Sequence, residues 1–213
     1  MVHAGQRVDA IVFDMDGTLI ESHSVVPAAY RAAVLGGGGR PLTDAEVIAG
    51  YPLGPPGALL THLLGRPATD RDLEGYHTHL ATLAGQVTVY PGVSELLGRL
   101  AGAMPVALFT GASRRAAEIL LDRVGLLGHF AVVVGGDEVA RPKPDPAGVD
   151  LACELLGVAP RRAAYVGDSP LDLRAARDSG ALAVAAAWGH QYDPAAPADV
   201  TADIPADLLA LTA

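Results

Sequence analysis

Lysine is almost missing from this chain. Of its 15 basic residues, 14 are Arg and one, Lys143, is Lys. A chain so poor in lysine cannot build a lysine-rich phosphate or nucleic-acid surface. A net charge of −9 with no basic block also argues against a nucleic-acid partner. Any imine chemistry has a single candidate amine. Cysteine is equally scarce: Cys153 stands alone, which excludes an internal disulfide framework. Long apolar runs are missing too. The longest, Ala181–Trp188, falls far short of the roughly 18–20 residues that cross a bilayer. Met1–Asp9 has no apolar core of the signal-peptide kind. The expectation is a cytoplasmic protein with no membrane partner, monomeric or homodimeric.

What is present describes a globular chain. It has 213 residues, 50% of them hydrophobic and 18% charged, enough for one or two domains with a sizeable core. Four short apolar runs end abruptly in polar residues or glycine: Ala10–Phe13 before Asp14, Val106–Phe109 before Thr110, Ala131–Val134 before Gly135, and Ala163–Val166 before Gly167-Asp168. Ala181–Ala187 reads as a fifth strand. Helical patterns cover Val93–Ala101, Ser113–Val124, Pro146–Leu156 and Pro170–Ser179. Strand alternating with helix predicts an α/β, Rossmann-like parallel sheet of five or more strands with helices on both faces. Ligands bind such sheets beyond the carboxyl ends of the strands, where Asp14, Thr110 and Asp168 stand.

Residues 22–88 interrupt this alternation. They carry helical pieces at Val26–Leu35, Thr43–Ala49, Ala58–Leu64 and Asp70–Ala84, broken by Gly36–Gly39 and by the Pro/Gly-rich run Gly50–Gly57. This reads as a small helical domain, 22–88, inserted into a core made of residues 1–21 and 89–213. Tyr90-Pro91-Gly92 marks the return. Gly36–Gly39 reads as a helix terminator, having neither the Lys nor the spacing of a nucleotide loop.

Four segments carry chemistry. Asp14-Met15-Asp16-Gly17-Thr18-Leu19 follows a buried strand, and a turn at Gly17 would bring both carboxylates to one site; read alone, it is equally an Asx turn. Thr110-Gly111 offers a hydroxyl and a backbone N–H at the start of a helix, where anions bind. Lys143 lies between Pro142 and Pro144, which restrict the backbone around it; Asp145 and Pro146 then suit an N-cap and a first helical position. Gly167-Asp168-Ser169-Pro170-Leu171-Asp172 puts one carboxylate at a strand tip and one on the next helical turn, where capping is the plain reading.

In order, strand context and residue type, these segments resemble the haloacid dehalogenase superfamily of phosphohydrolases. Asp14–Thr18 matches the first motif (D-x-D-G-T), Thr110 the second, Lys143 the third, and Gly167–Asp172 the fourth (G-D-x-x-x-D). The insertion after the first motif is similar to the helical-cap subgroup that includes phosphoglycolate phosphatase and β-phosphoglucomutase. The resemblance implies a phosphatase acting on a small phosphorylated metabolite, phosphoglycolate-like or a sugar phosphate. It implies Asp14 as nucleophile and Asp16 as general acid, then base. Thr110, Lys143 and the loop N–H groups of Met15 and Gly111 would hold phosphoryl oxygens. Mg²⁺ would sit on Asp14, the Asp16 carbonyl and Asp168. Asp172 would orient a metal-bound water or Lys143, and Ser169 would serve as a local cap.

The same residues separate the family's reactions. Dehalogenases lack the second aspartate, present here as Asp16; phosphonate-cleaving members need a cap lysine, and 22–88 contains none. A phosphomutase remains the alternative, although its second phosphate would find only Arg31, Arg40, Arg66 and Arg71 in the cap. A phospho-receiver or binding module is disfavoured by the insertion and the complete polar set. His77 and His79, two apart, do not share a helical face. Cys153 reads as core, and Trp188-Gly189-His190 as packing at the site's edge. Arg114 and Arg115 open a helix against its dipole, which leaves room for one to face substrate. His23 and Gly50–Gly57 fall where the family's cap begins and where its substrate-selecting loop lies.

Overall fold

The computed structural model describes residues 7–212; the first six residues, part of the stretch read for a leader, lie outside them. In chain order the elements are β1 (Ala10–Phe13), β2 (Ile20–Glu21), α1 (Val25–Gly36), α2 (Asp44–Ala49), α3 (Pro56–Leu64), α4 (Asp70–Leu83), β3 (Thr88–Val89), α5 (Val93–Leu100), β4 (Val106–Phe109), α6 (Arg114–Arg123), β5 (Val132–Val134), α7 (Ala147–Leu156), β6 (Ala163–Gly167), α8 (Pro170–Ser179), β7 (Leu182–Ala186) and β8 (Val200–Ala202). Six of the strands form one parallel sheet in the order β5-β4-β1-β6-β7-β8. β1 is buried at every residue because both of its faces are covered. Alternate side chains serve opposite layers. Ile11 and Phe13 join Leu97 and Leu100 of α5 and Leu120 and Leu121 of α6. Ala10 and Val12 join Val149 and Cys153 of α7 and Leu173 and Ala176 of α8.

The expected strands and helices are all present, most trimmed or extended by a residue or two at their ends. Three strands, β2, β3 and β8, and the start of one helix were not expected. β8 adds a sixth strand at the sheet edge; three residues after a Pro/Ala-rich loop give too short a pattern to read. Helix α7 starts at Ala147, one residue later than predicted. Pro146, not Asp145, is therefore the N-cap; Asp145 stands one residue earlier and accepts from the Ala147 amide at 3.0 Å. As expected, the Gly36–Gly39 run stops α1, with the Gly37 amide closing onto the Ala33 carbonyl.

β2 and β3 pair antiparallel, Ile20 with Val89 and Glu21 with Thr88, so the chain leaves and rejoins the sheet region through a two-stranded ribbon. Between them α1 packs on α4, with the Tyr30 and Tyr76 rings stacked at 4.2 Å. Thr43 and Thr69 start α2 and α4 with capping boxes to Glu46 and Asp72. α4 also lies against α6 of the core. Among the described residues no helix is long and apolar enough to cross a membrane.

Candidate active site

The site forms where three adjacent strands end. β4, β1 and β6 are in register, Leu108 beside Phe13 and Phe13 beside Val166. One residue past each strand stand Thr110, Asp14 and Asp168, all buried. The sheet's bonding continues through the first two. The Asp14 amide donates to Val166 at 2.8 Å and the Thr110 amide to Val134 at 3.1 Å, which fixes where their side chains project.

After Asp14 the chain turns. The Met15 carbonyl accepts from Leu19 at 2.9 Å and Ile20 at 3.1 Å, and Gly17 has φ +85°. Glycine is required there twice over: only it tolerates that φ, and a Cβ would stand 2.3 Å from the Asp168 carboxylate. Trp188 pins the turn from outside, its Nε1 donating to the Thr18 carbonyl at 2.8 Å. Gly17→Ala should therefore lower stability by about 1–3 kcal/mol, read as a drop in chemical-denaturant midpoint. An unchanged midpoint would show that the turn relaxes freely. The amides of Met15, Asp16 and Gly111 donate to no described residue. The Thr110 hydroxyl oxygen accepts from Ala112 at 3.1 Å, which leaves its hydrogen free to donate. Together they form a cradle of donors suited to phosphoryl oxygens.

Lys143 reaches into the centre. Its ammonium lies 2.7 Å from Asp14 Oδ1 and 2.7 Å from Asp172 Oδ1, with the side chain 13% exposed. Of the two roles open to Asp172, the geometry supports holding Lys143. The plain capping reading is also correct: Asp172 Oδ2 accepts from Ser169 Oγ at 2.6 Å and the Ser169 amide at 3.1 Å. Tyr165, which the sequence reading missed, adds its hydroxyl, within 3.1 Å of both the Phe109 carbonyl and Asp172 Oδ1. A buried phenol in a strand of Ala and Val needs a partner, and that was the available signal. Tyr165→Phe should cost about 1 kcal/mol, the ordinary worth of one buried hydrogen bond, measured by denaturant unfolding; a neutral result would deny Asp172 that donor.

Asp14, Asp168 and Asp172 offer carboxylate oxygens within 4.8 Å of one another. Three buried carboxylates against one ammonium leave negative charge uncompensated. Burial raises the Asp14 pKa well above the usual carboxylate value; Lys143 opposes this, and Asp172 and Asp168 add to it. Burial raises Asp16 too, against the hydrogen bond it receives from Ser22. Asp168 is pushed up to about 6 by burial, although the Gln191 amide donates to its Oδ2 at 2.9 Å. Lys143 is desolvated, yet Asp14 and Asp172 hold it charged. Asp168 Oδ1 is buried with no partner, a costly state unless a cation satisfies it. Both Asp172 oxygens are already engaged, whereas Asp168 has one to give. The donor set, all hard oxygens, fits a divalent cation of the Mg²⁺ type.

Other singled-out residues lie elsewhere. Neither arginine opening α6 is aimed at this cluster. Arg114 binds Glu118 at 3.0 Å and Glu138 at 3.2 Å, and Arg115 binds Glu74 of α4 at 2.5 Å. Cys153 is buried in the core, its thiol pushed up to about 11 by burial. His77 is buried against Ser113, and His23 pairs with Glu21. Gly54 packs beside Pro142, so the 50–57 loop stands next to the lysine loop.

The family model for haloacid dehalogenase-like hydrolases matches residues 8–180. The chain is 33% identical to a phosphoglycolate phosphatase of Chromobacterium violaceum, covering 95% of this chain and 96% of that protein. It is 31% identical to an N-acetylmuramic acid 6-phosphate phosphatase of Pseudomonas aeruginosa, covering 95% and 94%. Its structure is similar to that of a hydrolase from Pseudomonas syringae, with TM-score 0.72 and 28% identity over 94% of this chain and 96% of that one.

Proposed function

The chain belongs to the haloacid dehalogenase-like hydrolases, and from that premise we propose that it is a Mg²⁺-dependent phosphatase of a small phosphate monoester, phosphoglycolate-like or a sugar phosphate. One observation carries the reading. At the tips of adjacent parallel strands, Lys143 bridges Asp14 and Asp172 while Asp168 keeps an unpartnered buried oxygen.

Asp14 attacks the phosphorus, forming a carboxylate-oxygen–phosphorus bond as the bond to the leaving alcohol breaks. Asp16 gives its proton to the leaving oxygen. It then takes one from the water that attacks the aspartyl-phosphate and releases inorganic phosphate. Thr110, Lys143 and the free amides of Met15 and Gly111 hold the phosphoryl oxygens throughout. Asp172 and Ser169 keep Lys143 in place. Mg²⁺ would be held by Asp14, Asp168 and the Asp16 backbone carbonyl, and when bound it offsets the repulsion between two anionic reactants. Residues 22–88 serve as a cap that covers the leaving group. Hydrolysis is favoured over phosphate transfer within a sugar bisphosphate because three of the cap's four arginines are paired with carboxylates, which leaves Arg71 to meet a second phosphate. Arg31 binds Asp44, Arg40 binds Glu46 and Arg66 binds Asp72.

A phosphate-ester panel with and without Mg²⁺ tests this. Metal-dependent phosphate release from at least one ester is expected, abolished by a chelator. No release from any ester would overturn the reading. Conversion of a sugar 1-phosphate to its 6-phosphate would replace it with the mutase.

A further inference from the structure

One buried polar contact joins the helical insertion to the core, and the chemistry described above does not use it. His77, on α4, places Nε2 3.0 Å from Ser113 Oγ; the residues are 7% and 4% exposed. Its other nitrogen, Nδ1, is buried without a partner. Burial, with Arg115 nearby, lowers the His77 pKa, so the ring is neutral at neutral pH. A histidine used only to fill space would be poorly chosen, because one ring nitrogen stays unsatisfied. Beside the contact lies a cavity of about 290 Å³, lined by Pro56 and Leu73 from the insertion and by Gly136 and Val139 from the core.

Ser113 is well placed to transmit a displacement. It caps α6, accepting from the Ala116 amide at 3.2 Å. The preceding residue, Ala112, donates to Thr110 Oγ1 at 3.1 Å and accepts from the Gly136 amide at 2.7 Å. Moving Ser113 thus moves the hydrogen bond that aims the Thr110 hydroxyl. The neighbouring Glu74–Arg115 pair, one turn away on α4, is exposed on both sides, and exposed pairs contribute little.

We infer that His77 is a positioning residue, tying the seating of the helical insertion to the 110–113 loop that presents Thr110 and Gly111 to a phosphoryl group. The inference rests on the phosphatase reading for what that loop holds. The coupling itself does not depend on it.

Two variants separate this role from packing. Gln carries a polar amide at about the reach of Nε2, while Leu fills the space without a polar atom. Amide hydrogen exchange across 110–116 reads the coupling with no ligand present. Exchange there should accelerate about fivefold in His77→Leu, on the scale of one lost buried hydrogen bond, and stay near wild type in His77→Gln. In the intact enzyme with Mg²⁺, His77→Leu should weaken inorganic phosphate binding and raise KM by a similar factor, with kcat changed by less than about twofold. His77→Leu matching wild type in exchange overturns the inference. So does equal impairment of both variants, the outcome of a packing role. If wild type fails to bind phosphate, the phosphatase reading is what falls, and the exchange comparison still decides the coupling.

Discussion

Asp14→Asn should stop phosphate release almost completely while leaving the fold intact. The change is nearly isosteric, and Lys143 keeps both contacts, one to the amide oxygen and one to Asp172. What disappears is the anion that, in the proposed mechanism, attacks phosphorus. Removing a catalytic nucleophile costs on the order of 10⁴-fold or more. Stability should hold or rise, because one of three crowded buried carboxylates no longer carries charge. The measurement is initial-rate phosphate release, paired with thermal unfolding of both proteins. Release at more than about 1% of wild type, far above what nucleophile loss permits, would mean that another group attacks. A lowered melting temperature with no release would make the loss uninformative about chemistry, which is why both readouts belong together.

Lys143 should be harder to replace. Its ammonium sits between two carboxylates, 5.5 Å from the Phe109 ring centre and 5.9 Å from that of Tyr165. Lys143→Ala leaves Asp14 and Asp172 facing each other without a cation, and breaking a buried pair in this way costs about 3–5 kcal/mol. Denaturant unfolding should record that loss, and activity should vanish with it. Lys143→Arg isolates the shape of the charge. A guanidinium is larger and planar and cannot act as a compact point charge between two oxygens. The fold should survive, and activity should fall by about 10²-fold, the usual effect of displacing a catalytic group by an ångström. Full activity in the arginine variant would show that charge alone suffices.

The strand tips were the most legible part of the sequence. Asp14, Thr110 and Asp168 each end a run of buried apolar residues, and that pattern is local. Lys143 was legible for a different reason, being one lysine among 14 arginines. The third dimension hid the rest. Phe109 and Asp172 share the Tyr165 hydroxyl, a contact that no spacing encodes. Trp188 reaches Thr18 across 170 positions, and Gln191 reaches Asp168 through a backbone amide, which carries no side-chain signature. His77 was read by helical spacing against His79, whereas its partner is Ser113, the residue that caps α6. β8 escaped because three residues make no period.

The short ribbon of β2 and β3 has an evolutionary consequence. Glu21 and Thr88 are paired neighbours, so their Cα atoms lie only about 5 Å apart. Everything between them could be cut out and the gap bridged by a tight turn, with the parallel sheet still able to form. On the proposed reading, an exchanged insert would keep the strand-tip residues Asp14, Thr110 and Asp168 but would have to supply its own contact to Ser113 in place of His77.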